Sequence, residues 1–210
     1  MRRFLAVAIF AVLAVPLFPS LALAQCQQSC DGLITDDPHY PASRGYLEFI
    51  DLAYYGAYGH GPTCVQRVSE YNALVSAAGN SALQAEASRF VATLFMTQAS
   101  YDAQDLTTYT QTTAYEARNS NNNIDRTSLQ SFVTDLYHAF LQRDPDDGGL
   151  CFWTNDACGG RKHVILAFIA SIEFGRLVGG LYDDGPPDSC GPGGGGDCPG
   201  SNGGYGQLCS

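Results

Sequence analysis

Residues 132–174 read FVTDLYHAFLQRDPDDGGLCFWTNDACGGRKHVILAFIASIEF, three short apolar runs separated by a proline-aspartate-glycine turn and a Gly-Gly turn. Phe132, Leu136, Tyr137, Phe140 and Leu141 recur at the spacing that gathers side chains on one face of an α-helix, and Arg143-Asp144-Pro145 stops that helix. The stretch predicts a compact helical unit. No catalytic constellation lies on it.

Helical texture continues upstream. Residues 45–58 place Leu47, Ile50, Ala53 and Tyr54 on one side before the break at GHGP, residues 59–62. Pro62 or Thr63 opens a second helix with Val65, Val68, Tyr71, Leu74 and Val75 directed inward, ending on Gly79-Asn80. Ser81 with Gln84 makes a capping box for a third, whose stripe is Leu83, Phe90, Val91, Leu94 and Phe95. The Thr-, Gln- and Asn-rich residues 100–123 predict a short helix or two and then an exposed loop. That polarity marks a boundary between an N-terminal helical unit, residues 45–118, and a second, residues 124–183.

In the second unit Thr127 is the expected cap of the first helix, and Asp146 or Asp147 that of a helix holding Leu150, Phe152 and Trp153. Residues 161–170 form a helix that turns Val164, Ile165, Ala167 and Phe168 inward, and Ser171 with Glu173 opens the last one, which ends near Leu181. The expected fold is all-α, a compact helical bundle readable as two degenerate three-helix units. FIDLAY at 49–54 parallels FVTDLY at 132–137, LFMTQASY at 94–101 parallels AFIASIEF at 167–174, and Tyr71 stands where Trp153 does. Any two amphipathic helices share patterning of this kind, so duplication does not follow from it alone.

The two ends differ from this body. Arg2 and Arg3 precede an apolar run at 4–17, and Ala22-Leu23-Ala24 is a small-residue cleavage site, so residues 1–24 are expected to be a Sec-type signal peptide cleaved after Ala24. Phe4 directly after Arg3 argues against a twin-arginine signal, and Gln25 before Cys26 argues against a lipoprotein signal. The run is short for a bilayer span and no second one of that length follows, so the mature chain is expected to be soluble, and secreted, periplasmic or at the cell surface. Residues 25–44 read as a loop-rich lead-in. In residues 184–210 glycine and proline dominate, a composition that cannot bury a core and predicts a disordered tail. The formal charge is −10, which argues against nucleic acid or an anionic membrane as partner.

All eight cysteines, Cys26, Cys30, Cys64, Cys151, Cys158, Cys190, Cys198 and Cys209, follow the leader. An even count in an exported chain is read as a disulfide framework. There is no CxxC pair and only His60 lies near a cysteine, so zinc is disfavoured. Cys151 and Cys158 fall two turns apart in one expected helix, which separates their Cα atoms by roughly 10 Å. A disulfide needs less than about 7 Å, so either that helix ends before Asp156 or the two have other partners. Tail cysteines could also crosslink to another chain.

Several residues resemble parts of a site, and each has a structural reading. Asp135 and His138 stand three apart on a helix with no nucleophile placed beside them, and are expected to be a surface pair. His60 and His163 start no metal pattern. Asp144, Asp146 and Asp147 share a turn, but the twelfth position from Asp144 is Asn155 and not glutamate, so capping is favoured over calcium. Glu48 and Asp51 read as solvated acids, and Arg143 and Glu173 as an ion pair across the unit. Along Tyr54-Tyr55-Gly56-Ala57-Tyr58-Gly59, Tyr54 is expected in the core, while Tyr55 and Tyr58 are candidates for an exposed surface that binds sugars or proteins. No catalytic, cofactor-binding or metal-ligating residue is assigned.

Phe132-Val133, Leu136-Tyr137, Leu141, Arg143, Pro145-Asp146, Gly149-Leu150, Trp153, Phe168-Ile169, Ser171 and Glu173-Phe174 form a pattern that resembles the bacterial domain-of-unknown-function family 4214. The chain departs from it at Gln142, where a glycine is common, and at Cys158-Gly159-Gly160. The resemblance implies an all-helical module of secreted and surface-associated bacterial proteins, similar to the linker polypeptides of phycobilisomes, and hence a binding or assembly role. The expected function is a non-catalytic exported interaction or scaffold module with a protein partner or surface glycan. The alternatives are a secreted glycan-binding module or a polysaccharide or cell-wall hydrolase.

Overall fold

The computed structural model describes residues 29–30, 32–33, 43–121 and 128–187. Residues 1–28, with the expected signal peptide and Cys26, together with Thr127, Cys190, Cys198, Cys209 and the expected disordered tail beyond residue 187, lie outside the described residues. Within them the chain is all-α: nine α-helices joined by short turns and loops.

Helix α1, Tyr46–Tyr58, starts at Gly45, which has no side chain to cap it, and ends on Gly59 in the left-handed region with φ 76°. Asp184, from the other end of the chain, faces that bare N-terminus, and Leu47 N–H donates to its Oδ1 at 3.4 Å. Helix α2, Cys64–Ser76, starts at Thr63 in a full capping box with Gln66. Only Tyr71 and Leu74 of its expected inward stripe are buried, whereas Val65 and Val75 are exposed. The reason is position: α2 lies at the edge of the bundle and touches the core through little more than one turn.

The chain leaves α2 at Ser76, earlier than Gly79-Asn80 suggests, and Gly79 with φ 86° serves instead as the entry to α3, Asn80–Phe95. Because α3 has begun by Asn80, Ser81 and Gln84 do not cap it. Its expected stripe, Leu83, Phe90, Val91, Leu94 and Phe95, is buried throughout. Helix α4, Gln98–Asp102, is capped by Thr97. The loop that follows is fastened by Lys162, 1 % exposed, whose Nζ donates to Ala103 O at 2.6 Å and Asp105 O at 2.8 Å. Helix α5 is Thr113–Asn121.

Ser128 caps α6, Leu129–Leu136, which runs without a break into a π-helical turn, Tyr137–Leu141. Asp146 caps α7, Asp147–Asp156, accepting from Gly149 N–H at 2.7 Å. Helices α8, Arg161–Ile169, and α9, Ile172–Gly179, follow, the latter capped by Ser171. Residues 181–187 then return to α1: Tyr182 N–H donates to Arg44 O and Tyr46 N–H to Tyr182 O, at 3.0 and 3.1 Å. Tyr71 Oη donates to Asp183 at 2.5 Å.

One core runs through both units. Phe95 of α3 touches the rings of Phe132, Phe140 and Tyr115, and Phe140 touches Phe168 and Phe174. The closest crossing is α1 against the π turn, where a Cβ on Gly56 would strike the backbone of Ala139. The parallel between the halves extends to their elements. Helix α1 has thirteen residues, and α6 with the π turn has eight and five. The sequence distance from Tyr46 to Leu129 equals those from Gly59 to Gln142 and from Thr63 to Asp146, so starts, left-handed ends and following caps all coincide. In the later helices the matched caps are Thr97 and Ser171, one residue out of the 94–101 and 167–174 register.

Cys30 and Cys151 form a disulfide with Cα atoms 5.7 Å apart, tying the segment before Leu33 to α7. Cys64 and Cys158 are disulfide-bonded as well. Cys151 is thus not joined to Cys158, and α7 continues to Asp156 as the helix geometry requires. Among the described residues no helix is long and apolar enough to cross a membrane.

Candidate functional site

The seam between the halves opens on one side into a shallow groove of about 290 Å³. Helix α1 contributes Leu52, Tyr55 and Gly56 from successive turns of one face. The opposite wall is His138 on the π turn, and Gln142, Arg143 and Asp144 just after it.

That wall is locally irregular. A π turn lengthens the helix ladder and is frequent at functional sites. Gln142 follows it at φ 53°, the one non-glycine of positive φ among the described residues. Its Nε2 donates to Phe49 O at 3.3 Å, while its Oε1 is buried without a hydrogen-bond donor. Gly59 holds the same conformation at the matching place in the first half at no steric cost.

Arg143, in that wall, is held on several sides. Its Nε and Nη2 donate to Glu173 Oε1 and Oε2 at 2.6 and 3.1 Å, its Nη1 donates to Asp144 O at 3.0 Å, and its guanidinium lies 4.9 Å from the Tyr137 ring centre. Hydrogen bonding to Glu173 is the main reason that Arg143 is held above its ordinary pKa. At the lip, His138 Nε2 meets Asp144 Oδ1 at 2.8 Å, and the Asp144 side chain is 94 % exposed. The groove therefore pairs an apolar side chain and an aromatic ring with an outward carboxylate.

Tyr55 lines this groove and is half-buried. Tyr58 is a correction: it is buried, its Oη donates to Leu94 O at 2.9 Å, and burial raises its pKa. At the end of α1 the Tyr58 ring packs on Tyr54 and is drawn under α3, away from the groove that Tyr55 lines. Asp135 and His138 are also not a surface pair. Asp135 is buried and accepts from Tyr115 Oη at 2.8 Å, and His138 turns to Asp144. Glu48 and Asp51 engage different cations, Arg44 and Arg67. Asp146 caps α7, and among the described residues no group of three His, Cys, Asp or Glu is placed to hold a metal ion.

The remaining motif residues serve packing and caps. Phe132, Leu136, Tyr137, Leu141, Phe168 and Phe174 are core, and Trp153 packs on Phe168. Gly149 leaves space for Tyr137 Oη, which a Cβ would strike. Ser171 caps α9 and Glu173 holds Arg143. Sequence reasoning missed Leu52 and Gln142 as site residues. The signal for Gln142 was present in its departure from glycine just before the arginine of the motif.

A family model described as "Domain of unknown function (DUF4214)" matches residues 113–178. The match contains the whole motif, spans α5 to α9 and agrees with the resemblance read from the sequence. No curated protein and no solved structure matches the chain.

Proposed function

We propose that the protein is an exported, non-catalytic interaction module that binds a protein partner at or outside the cell envelope. The observation that carries this reading is the seam groove. It is open and shallow, it mixes Leu52 and Tyr55 with charged groups, and it is built by both halves. Such composition suits a docking surface, where an aromatic anchor sits among polar rim groups, better than the enclosed cavity that buries a small substrate. Export is supported by the disulfides at Cys30, Cys64, Cys151 and Cys158, since such bonds persist in oxidising compartments.

The test uses the mature protein as bait on solubilised envelope and on culture supernatant, with a glycan array and a polymer-degradation assay alongside. A saturable protein partner is the expected result. A glycan ligand without a protein partner would replace this reading with glycan binding, and degradation of a polymer without either would sink it.

A further inference from the structure

We propose that the seam groove is the docking site itself and that it takes a lysine- or arginine-bearing segment of a partner protein, a reading that rests on the interaction role above. Three observations converge on it. The first is charge. Arg44, Arg67, Arg89 and Arg143 are held by carboxylates, and Lys162 is buried against carbonyls. Asp144 meets His138 through Oδ1, yet its side chain is 94 % exposed and projects its carboxylate from the lip, on a chain of formal charge −10. A cationic segment is the electrostatic complement of that rim.

The second is the wall of Leu52 and Tyr55, which accepts the methylene stem of a lysine or arginine and offers the ring face to its head. The third is local cost. Gln142 occupies a left-handed position and keeps an unpaired buried acceptor, where the matching Gly59 has neither burden. Backbone outliers of this kind persist where the surroundings gain something from them. Here the gain is an acceptor on a residue of the groove's lining, suited to a donor-rich side chain once the amide turns outward.

The test is an unbiased selection of random twelve-residue peptides on the immobilised mature protein, followed by titration of a selected peptide against variants. The expected result is enrichment of lysine, arginine and aromatic residues. Asp144→Lys and Tyr55→Ser should each weaken binding about tenfold or more, whereas Glu116→Lys, the same charge change on the exposed face of α5, should change it by less than about twofold. Gln142→Gly separates binding from folding: melting temperature should hold or rise while affinity falls. Acidic or neutral consensus peptides, no enrichment, or equal losses in Asp144→Lys and Glu116→Lys would overturn the groove assignment. A partner recovered from the envelope that binds Asp144→Lys and Tyr55→Ser normally would do the same and leave the interaction role standing.

Discussion

Gly59 and Gln142 end two helical segments of equal length with the same left-handed turn, at φ 76° and φ 53°. Only one of them is a glycine. Gly59→Ala places a Cβ in that conformation and is expected to cost about 1 kcal/mol. For a chain of this size the melting temperature should then fall by about 2–4 °C. An unchanged melting temperature would show that α1 does not need the left-handed end.

Two other glycines should respond to alanine with opposite signs. At Gly56 the new methyl meets the Ala139 backbone, which cannot move aside, so α1 must part from the π turn at a cost of about 2 kcal/mol or more. Gly175 sits in α9 with nothing within 4 Å of the built position, so alanine there should stabilise by about 0.5–1 kcal/mol through helix propensity. Denaturant midpoints of the two variants check both.

The Arg143–Glu173 pair is bidentate, and its side chains are 17 % and 11 % exposed. Glu173→Gln removes the bidentate partner and leaves the guanidinium only Asp146 as counter-charge, at 3.7 Å; it is expected to destabilise by about 1–2 kcal/mol, less than a fully buried pair because some water reaches it. Arg143→Lys should not restore the fork. A double-mutant cycle with no coupling between the two positions would remove the pair as a determinant.

Replacing Cys30 and Cys151 together by serine should lower stability by about 3–5 kcal/mol, since the bond closes a long loop in the unfolded chain. Non-reducing peptide mapping should recover Cys30 joined to Cys151 and no Cys151–Cys158 peptide.

Alkaline pH provides a further check. Burial above all raises Tyr137 to about 12, and the hydrogen bond to Asp183 above all raises Tyr71 to about 12. Burial drives Tyr115 and Tyr54 upward as well. A folded pKa above the unfolded value, near 10 for tyrosine, gives stability that is complete below about pH 10 and lost as pH rises toward 12. The tyrosinate absorbance of these four rings should therefore rise late and together with loss of helical circular dichroism. Ionisation of these rings near pH 10 with the helices intact would contradict the packing.

Much of the fold was legible because its signals are local. The stripe of α3, the opening of α2 at Thr63, and the Asp146 and Ser171 caps depend on residues within one or two turns of each other. The failures are tertiary. Nothing near Val65 and Val75 says that α2 lies at the bundle edge, and nothing near Asp135 announces that Tyr115 will supply its hydrogen bond from another helix. The tyrosine-rich run 54–59 suggests an exposed patch, but the Tyr58 ring packs on Tyr54 and its hydroxyl reaches α3, contacts that no local signal announces. The groove was half legible: Tyr55 was visible as a surface aromatic, but its meeting with Asp144 depends on how the two halves cross at Gly56 and Ala139.

Amide hydrogen exchange of residues 25–210, alone and with a lysine- or arginine-bearing peptide selected on the protein, tests the central claim most directly. The account predicts new protection along the exposed face of α1 around Leu52 and Tyr55 and from His138 to Asp144, with little change elsewhere. Protection confined to another surface, such as α7 around the exposed Phe152, with the seam exchanging as in the free protein, would contradict it.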